Sequence, residues 1–394
     1  MKLFDNKKRT NNKLAKFIDN DYDFYDRSCL YSSKQIRDML NLWFEHYPEN
    51  GKVELKARFQ DKFSAAYFEL FLHELFFKQG FTLELHPTIN GTNKRPDFLV
   101  KGKDIKFYLE AKEVNNKSDS ERSNDNRVNQ LYDSISQINS PNFLLKIDEI
   151  ILKSSNQPSA KKIKKYIEEE IKNFDPDVIH EKIIRSEFDY IKPIIYEDET
   201  IKLVISLIPK AKEFRGKKGV SSIGMFPWRI YLSNSDEAIK KAIGKKAIRY
   251  GKLDKPYMIC INVISRIGVH NKNKVFEILF GKSKNNSFTY TDTIDKLSHR
   301  SSTGIFSILC SPRFTRVSAV FITEVYPTNL HVADYWLVKN PFAKIDLPFD
   351  LFQLKKYEVN DNEIITLKGK SIKEILKIPD DWMTTDIFSS EYYD

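Results

Sequence analysis

Apolar residues recur along this chain with two periods, one near four and one of two, and stretches of the two kinds follow one another as helices and strands. KQIRDMLNLWFEHY (34–47) puts Ile36, Met39, Leu40 and Trp43 at helical spacing, within an N-terminal extension (1–55) that reads as packed on a core. Residues 60–79 predict a helix that is apolar nearly all round, the mark of a buried helix, and Gly80 ends it. FTLELHP (81–87) then reads as a strand and RPDFLVKGKDIKFYLEAKE (95–113) as a hairpin.

A polar loop is expected at 115–126, an amphipathic helix at 127–139 and a strand at FLLKIDEIIL (143–152). Beyond it the pattern predicts a charged helix (159–174), a poorly patterned stretch (175–199), a strand (200–209) and a basic loop, KAKEFRGKKGVSS (210–222). Strand 228–232, helix 235–250 closed by Gly251, strand PYMICINVI (256–264) and strands 306–310 and 316–325 complete the pattern, with an irregular acidic tail after them. No repeat of fixed period occurs. The expected class is α/β, a mixed central sheet flanked by helices, organised as the extension, a core at 56–209 and a C-terminal α/β region at 210–394.

The hairpin concentrates the chemistry. With Val100 and Ile105 flanking a four-residue turn KGKD, antiparallel pairing sets Asp97 opposite Tyr108 and diagonal to Glu110. Strand side chains alternate, so Tyr108, Glu110 and Lys112 point one way and Phe107, Leu109 and Ala111 the other. Asp97, Glu110 and Lys112 then share a face. Diagonal neighbours lie roughly 7–8 Å apart at the backbone, close enough for two carboxylates to converge on one hard cation such as Mg²⁺. Glu69, inside the apolar helix, is a third acid, and a carboxylate there needs a partner. A metal, its waters, Lys112 or His73 at i+4 would serve. Glu74 is expected to pair with Lys78.

Composition adds the class of protein. Of 394 residues, 41% are hydrophobic and 13% aromatic, which describes a folded chain. A formal charge of +10 favours a polyanionic partner. Cys29, Cys260 and Cys310 are far apart and odd in number, so neither a disulfide framework nor a thiolate zinc site is expected. Basic residues at the start have no apolar run behind them and no long apolar stretch occurs, so a cytoplasmic location without membrane spans is expected. Nucleotide-phosphate, nucleophile-elbow, zinc-protease and dinucleotide motifs are missing from the sequence.

The stretch 61–150 resembles the core of the PD-(D/E)XK nuclease superfamily: helix acid Glu69, Pro96-Asp97 entering a hairpin, and Glu110-Ala111-Lys112 on the next strand. The resemblance implies a restriction-endonuclease-like core that hydrolyses phosphodiester bonds with Mg²⁺, for which Mn²⁺ substitutes. Carried over, Asp97, Glu110 and the Ala111 carbonyl are metal ligands, Lys112 positions or polarises the water, and Glu69 tunes the metal directly or through water. It further implies DNA as substrate, endonuclease action, a role in restriction or antiviral defence, and phosphate contacts from Arg127 or Gln130.

Two basic sets extend the expected nucleic-acid contacts: Lys210, Lys212, Arg215, Lys217 and Lys218 in the loop, and Lys241, Lys245 and Arg249 at i+4 spacing on one helical stripe. Cutting both strands of a duplex would favour a homodimer. The C-terminal region would engage the target or a partner, or elaborate the same sheet. A solvated edge hairpin with a Glu–Lys pair, a non-cleaving nucleic-acid-binding module and an interaction scaffold are the alternatives.

Overall fold

The computed structural model describes residues 1–13, 15–115, 119–185, 191–217, 221–225, 235–264, 271–282, 297, 300–306, 312–361 and 363–383. The expected strand 228–232, Lys218 and all but the first residue of the expected strand 306–310 lie outside the described residues. Two compact units emerge: Met1–Leu14, Asn20–Asn116 and Ser233–Asp394 form one, and Ala15–Asp19 with Lys117–Leu232 the other. The expected division at 209/210 runs differently, because the first unit draws on both sides of the second.

The first unit holds a mixed eight-stranded sheet. Its strands, in chain order, are β1 (Thr82–Leu85), β2 (Phe98–Lys101), β3 (Lys106–Asn115), β8 (Tyr257–Ile264), β9 (Ala319–Thr323), β10 (Tyr335–Lys339), β11 (Lys356–Asn360) and β12 (Glu363–Leu367), and they lie side by side in that same order. β3 pairs antiparallel with β2 and parallel with β8.

The sequence reading placed FLLKIDEIIL beside the hairpin in one core, whereas the structure seats β8 there. The reason is in the side chains. YMICINVI is buried along nearly its whole length, as a central strand covered on both faces must be, while FLLKIDEIIL alternates and suits a sheet covered on one face.

Helices cover both faces. On one lie α1 (Asp21–Arg27), α2 (Tyr31–His46), α3 (Lys52–Asp61), α4 (Phe63–Phe77) and the short α10 (Ile372–Leu376). On the other lie α8 (Ser235–Ala247) and α9 (Lys272–Phe280). The expected helix 60–79 divides at Lys62, where the backbone leaves helical geometry between α3 and α4. α4 is buried all round, as its composition required, and Gly80 at φ 90° turns the chain into β1 while the Phe81 N–H bonds back to the Phe76 carbonyl. The N-terminal segment belongs to this core: Trp43 stacks on Tyr67 at 6.4 Å, and Leu3 and Phe4 are fully buried. The tail expected to be irregular supplies β10, β11, β12 and α10.

The second unit has its own four-stranded sheet, ordered β5 (Ile194–Glu197), β6 (Ile201–Pro209), β4 (Phe143–Leu152), β7 (Ile223–Met225). α5 (Asp119–Ile135), α6 (Ala160–Glu170) and α7 (Pro176–Ile184) pack with it around Leu131, Ile147, Ile163 and Ile205. α5 starts well before the expected helix and absorbs most of the stretch read as a polar loop. α7 and β5 lie in the stretch that carried no clear pattern. Among the described residues no helix is long and apolar enough to cross a membrane.

Candidate active site

The hairpin turns one residue later than the pattern predicts, which shifts the pairing of its strands by two. Lys101 pairs with Lys106 and Leu99 with Tyr108, and the Gly102 N–H bonds to the Ile105 carbonyl at 2.9 Å, so the turn is Gly102–Ile105. The same register carried one residue beyond Phe98↔Leu109 sets Asp97 level with Glu110, where a diagonal position was expected. The slip is even, and only an odd slip exchanges the faces of a strand. Asp97, Tyr108, Glu110 and Lys112 therefore keep one common face.

β2 begins at Phe98, whereas β3 runs on to Asn115, so β3 loses its β2 neighbour at the level of the acids. The Ala111 N–H on that open side is taken by Asp97 Oδ2 at 2.6 Å. The N–H and C=O of one strand residue point to the same edge, so the Ala111 carbonyl faces the same opening.

Asp97 is partly buried, and that burial, then Glu110, then Glu69, pushes its carboxyl up to about 7 from 3.8. Asp97 thus stands within electrostatic reach of two further acids, Glu110 and Glu69.

Glu110 is buried and its two oxygens meet different partners. Lys246 Nζ forms an ion pair with Oε1, and the Tyr250 hydroxyl donates to Oε2 while lying 3.0 Å from the Arg95 carbonyl. Arg249 Nε is 3.9 Å from Oε1. Burial first, and then the Glu110 charge, hold the Tyr250 phenol strongly protonated.

Neither Lys246 nor Tyr250 was singled out from the sequence, although both stand within the KKAIRYG stretch (245–251). A legible signal existed: at 100° per residue Lys246 falls at the edge of the apolar stripe made by Ile239, Ile243, Ala247 and Tyr250, 20° from Ile239 and 40° from Tyr250, where a lysine can turn its ammonium toward an anion under the helix.

Glu69 is held elsewhere. Arg58 meets its Oε2 at 2.6 Å and the Tyr47 hydroxyl donates to Oε1 at 2.6 Å, so neither Lys112 nor His73 is the partner. His73 is buried among the rings of Tyr47, Phe77 and Phe98, and burial first, then His46, lower its pKa to about 4. Glu74 lies 3.5 Å from Lys78, as expected, and 2.8 Å from His46. Lys112 is exposed, two residues beyond Glu110 on its face.

Of the residues expected to contact nucleic acid, Arg249 joins Glu110, and Lys241 and Lys245 are exposed on α8. Arg127, Gln130, Lys212, Arg215 and Lys217 belong to the second unit. Arg127 is bound to the Ser154 and Asn156 carbonyls at 2.6 and 3.2 Å, and Arg215 to Asp177 at 2.9 Å with Lys212 3.8 Å from the same carboxylate. Gln130 is exposed, and the Lys217 carbonyl accepts from Lys210 Nζ at 3.3 Å.

Among the described residues no group of three or more His, Cys, Asp and Glu gathers to hold a metal ion. The donors that do converge are the carboxylates of Asp97 and Glu110 and the Ala111 carbonyl, all oxygen and all hard, a set that fits Mg²⁺ or Mn²⁺ completed by water. Glu69 is committed to Arg58 and Tyr47, and its charge reaches Asp97. No family model, curated protein or solved structure matches the chain.

Proposed function

We propose that the protein is a metal-dependent nuclease with a restriction-endonuclease-like core, acting on DNA as an endonuclease in restriction or antiviral defence. The observation that carries the reading is the convergence of Asp97 and Glu110 at the open edge of β3, with the Asp97 carboxyl held up to about 7 by burial and by the two acids near it. A site arranged this way stores anionic repulsion that a divalent cation relieves.

Asp97, Glu110 and the Ala111 carbonyl would hold the ion, which would activate a water and polarise the scissile phosphate. Lys112, exposed on the same face, is suited to orient that water and to meet the charge that develops on the phosphate. Arg249, half exposed beside Glu110, is suited to a non-bridging phosphate oxygen. Tyr250 keeps its proton and therefore acts as a donor, fixing the Glu110 carboxylate in place.

One observation favours a second reading. Both Glu110 oxygens already have partners in Lys246 and Tyr250, which would suit a non-cleaving nucleic-acid-binding module.

Cleavage of circular plasmid and of single-stranded DNA by purified protein in Mg²⁺, Mn²⁺ or EDTA separates the two readings, with Asp97→Ala and Glu110→Gln in parallel. The nuclease reading expects metal-dependent cuts that both substitutions abolish. DNA binding with no cleavage in any metal sinks it, as do cuts that persist unchanged in both variants.

A further inference from the structure

A groove of about 620 Å³ opens beside α8, lined by Glu237, Lys240, Lys241, Thr303, Arg313 and Phe314. Lys240 is paired with Glu237 at 3.5 Å. Among the described residues neither Lys241 nor Arg313 meets a carboxylate, and the Arg313 guanidinium lies 5.9 Å from the centroid of the Phe314 ring.

Phe314 has φ 52°, a left-handed backbone that a bulky side chain seldom adopts. Its carbonyl accepts from the Val317 N–H at 2.9 Å and from Asn340 Nδ2 at 3.4 Å, which hold the turn in that shape. The surrounding structure thus keeps a half-buried ring on the wall of a cationic groove at a local conformational cost.

An acidic peptide would use the two cations and leave the ring idle, and an apolar partner would use the ring and leave the cations unsatisfied. A nucleotide uses both, because its base has a face to stack and its phosphate takes the cations. We infer that this groove binds a nucleotide unit, base against Phe314 and Arg313 and phosphate on Lys241 and Arg313, presented either by single-stranded nucleic acid or by a free nucleotide.

Lys241 and Lys246 are five residues apart on α8, about 7.5 Å along its axis and about 140° round it, so the groove and Glu110 lie on different sides of the helix, and binding in the groove does not rest on the nuclease reading.

The test is fluorescence anisotropy of a labelled oligothymidylate with the full chain carrying Asp97→Asn, in EDTA, so that cleavage plays no part. Phe314→Gly suits the backbone it replaces and is expected to weaken binding at least tenfold, as is Lys241→Ala with Arg313→Ala. Lys161→Ala with Lys165→Ala, removing two exposed cations of α6, is expected to leave it within twofold. Displacement of the label by ATP identifies a free-nucleotide site, and displacement by unlabelled oligonucleotide alone identifies a strand site; either supports the inference. Affinity unchanged in the groove variants, equal loss in the α6 control, or no binding of either ligand overturns it. Groove-dependent binding with no metal-dependent cleavage in the unsubstituted protein would sink the nuclease reading and leave this site standing.

Discussion

Glu110 and Lys246 are 136 residues apart in the chain and form one buried ion pair, which ties the hairpin to the helix packed over it. Breaking a buried pair from one side leaves an uncompensated charge and costs about 3–5 kcal/mol. Lys246 retains 17% of its side-chain exposure, so Lys246→Ala is expected near the lower end, about 3 kcal/mol. Adding Glu110→Gln should recover most of the loss. Urea denaturation of both single variants and the double variant measures the coupling, and additive losses would show that the pair contributes nothing.

Asp97 sets a pH dependence of unusual sign for a carboxylate. The folded state keeps its proton up to about 7, whereas an ordinary aspartate releases it near 3.8. Between those values the native state binds more protons, so this group's contribution is complete below 3.8 and is lost as pH rises toward 7. In EDTA, Asp97→Asn should therefore gain on the wild type in thermal midpoint between pH 4 and pH 8. Mg²⁺ at pH 8 should raise the wild-type midpoint and leave the variant's unchanged. A difference between the two proteins that stays constant with pH would remove this account of the site.

His73 acts in the opposite direction. Its folded pKa is lowered to about 4 from 6.5, so its contribution is intact above 6.5 and is lost as the unfolded chain takes up a proton on acidification toward 4. His73→Gln should flatten this part of the acid limb. Midpoints recorded between pH 7 and pH 4 for the two proteins are the check, and parallel curves would contradict it.

Trp43 places the N-terminal segment inside the core of the first unit, at 2% exposure against Tyr67 and Phe71. Trp43→Ala should cost about 3–5 kcal/mol through lost contact and the cavity left behind. Removing residues 1–55 should leave that unit unfolded, which circular dichroism and a denaturant titration would report. A cooperative transition of unchanged midpoint in either protein would mark the segment as dispensable.

The hairpin shows how far local reading reaches. Its strand pattern identifies the common face of Asp97, Glu110 and Lys112 correctly even though the expected turn lies one residue early and the pairing is off by two, because a period of two tolerates an even error in register. Charge on α8 was read along the exposed stripe Lys241, Lys245 and Arg249. Lys246, the residue after Lys245 in the chain and at the edge of the apolar stripe, is the one that meets Glu110.

Periodicity and composition by themselves determined the α/β class, the buried helix α4, the hairpin and the shared face of its acids, since each depends on residues a few positions apart. Tertiary structure alone decided that β8 lies against β3, that residues 117–232 form a unit of their own, that Arg58 and Tyr47 hold Glu69, and that Lys246 and Tyr250 close on Glu110. Those choices lie between segments tens to hundreds of residues apart. They are settled by which surfaces bury one another and which buried charge needs which partner, and no local period records either.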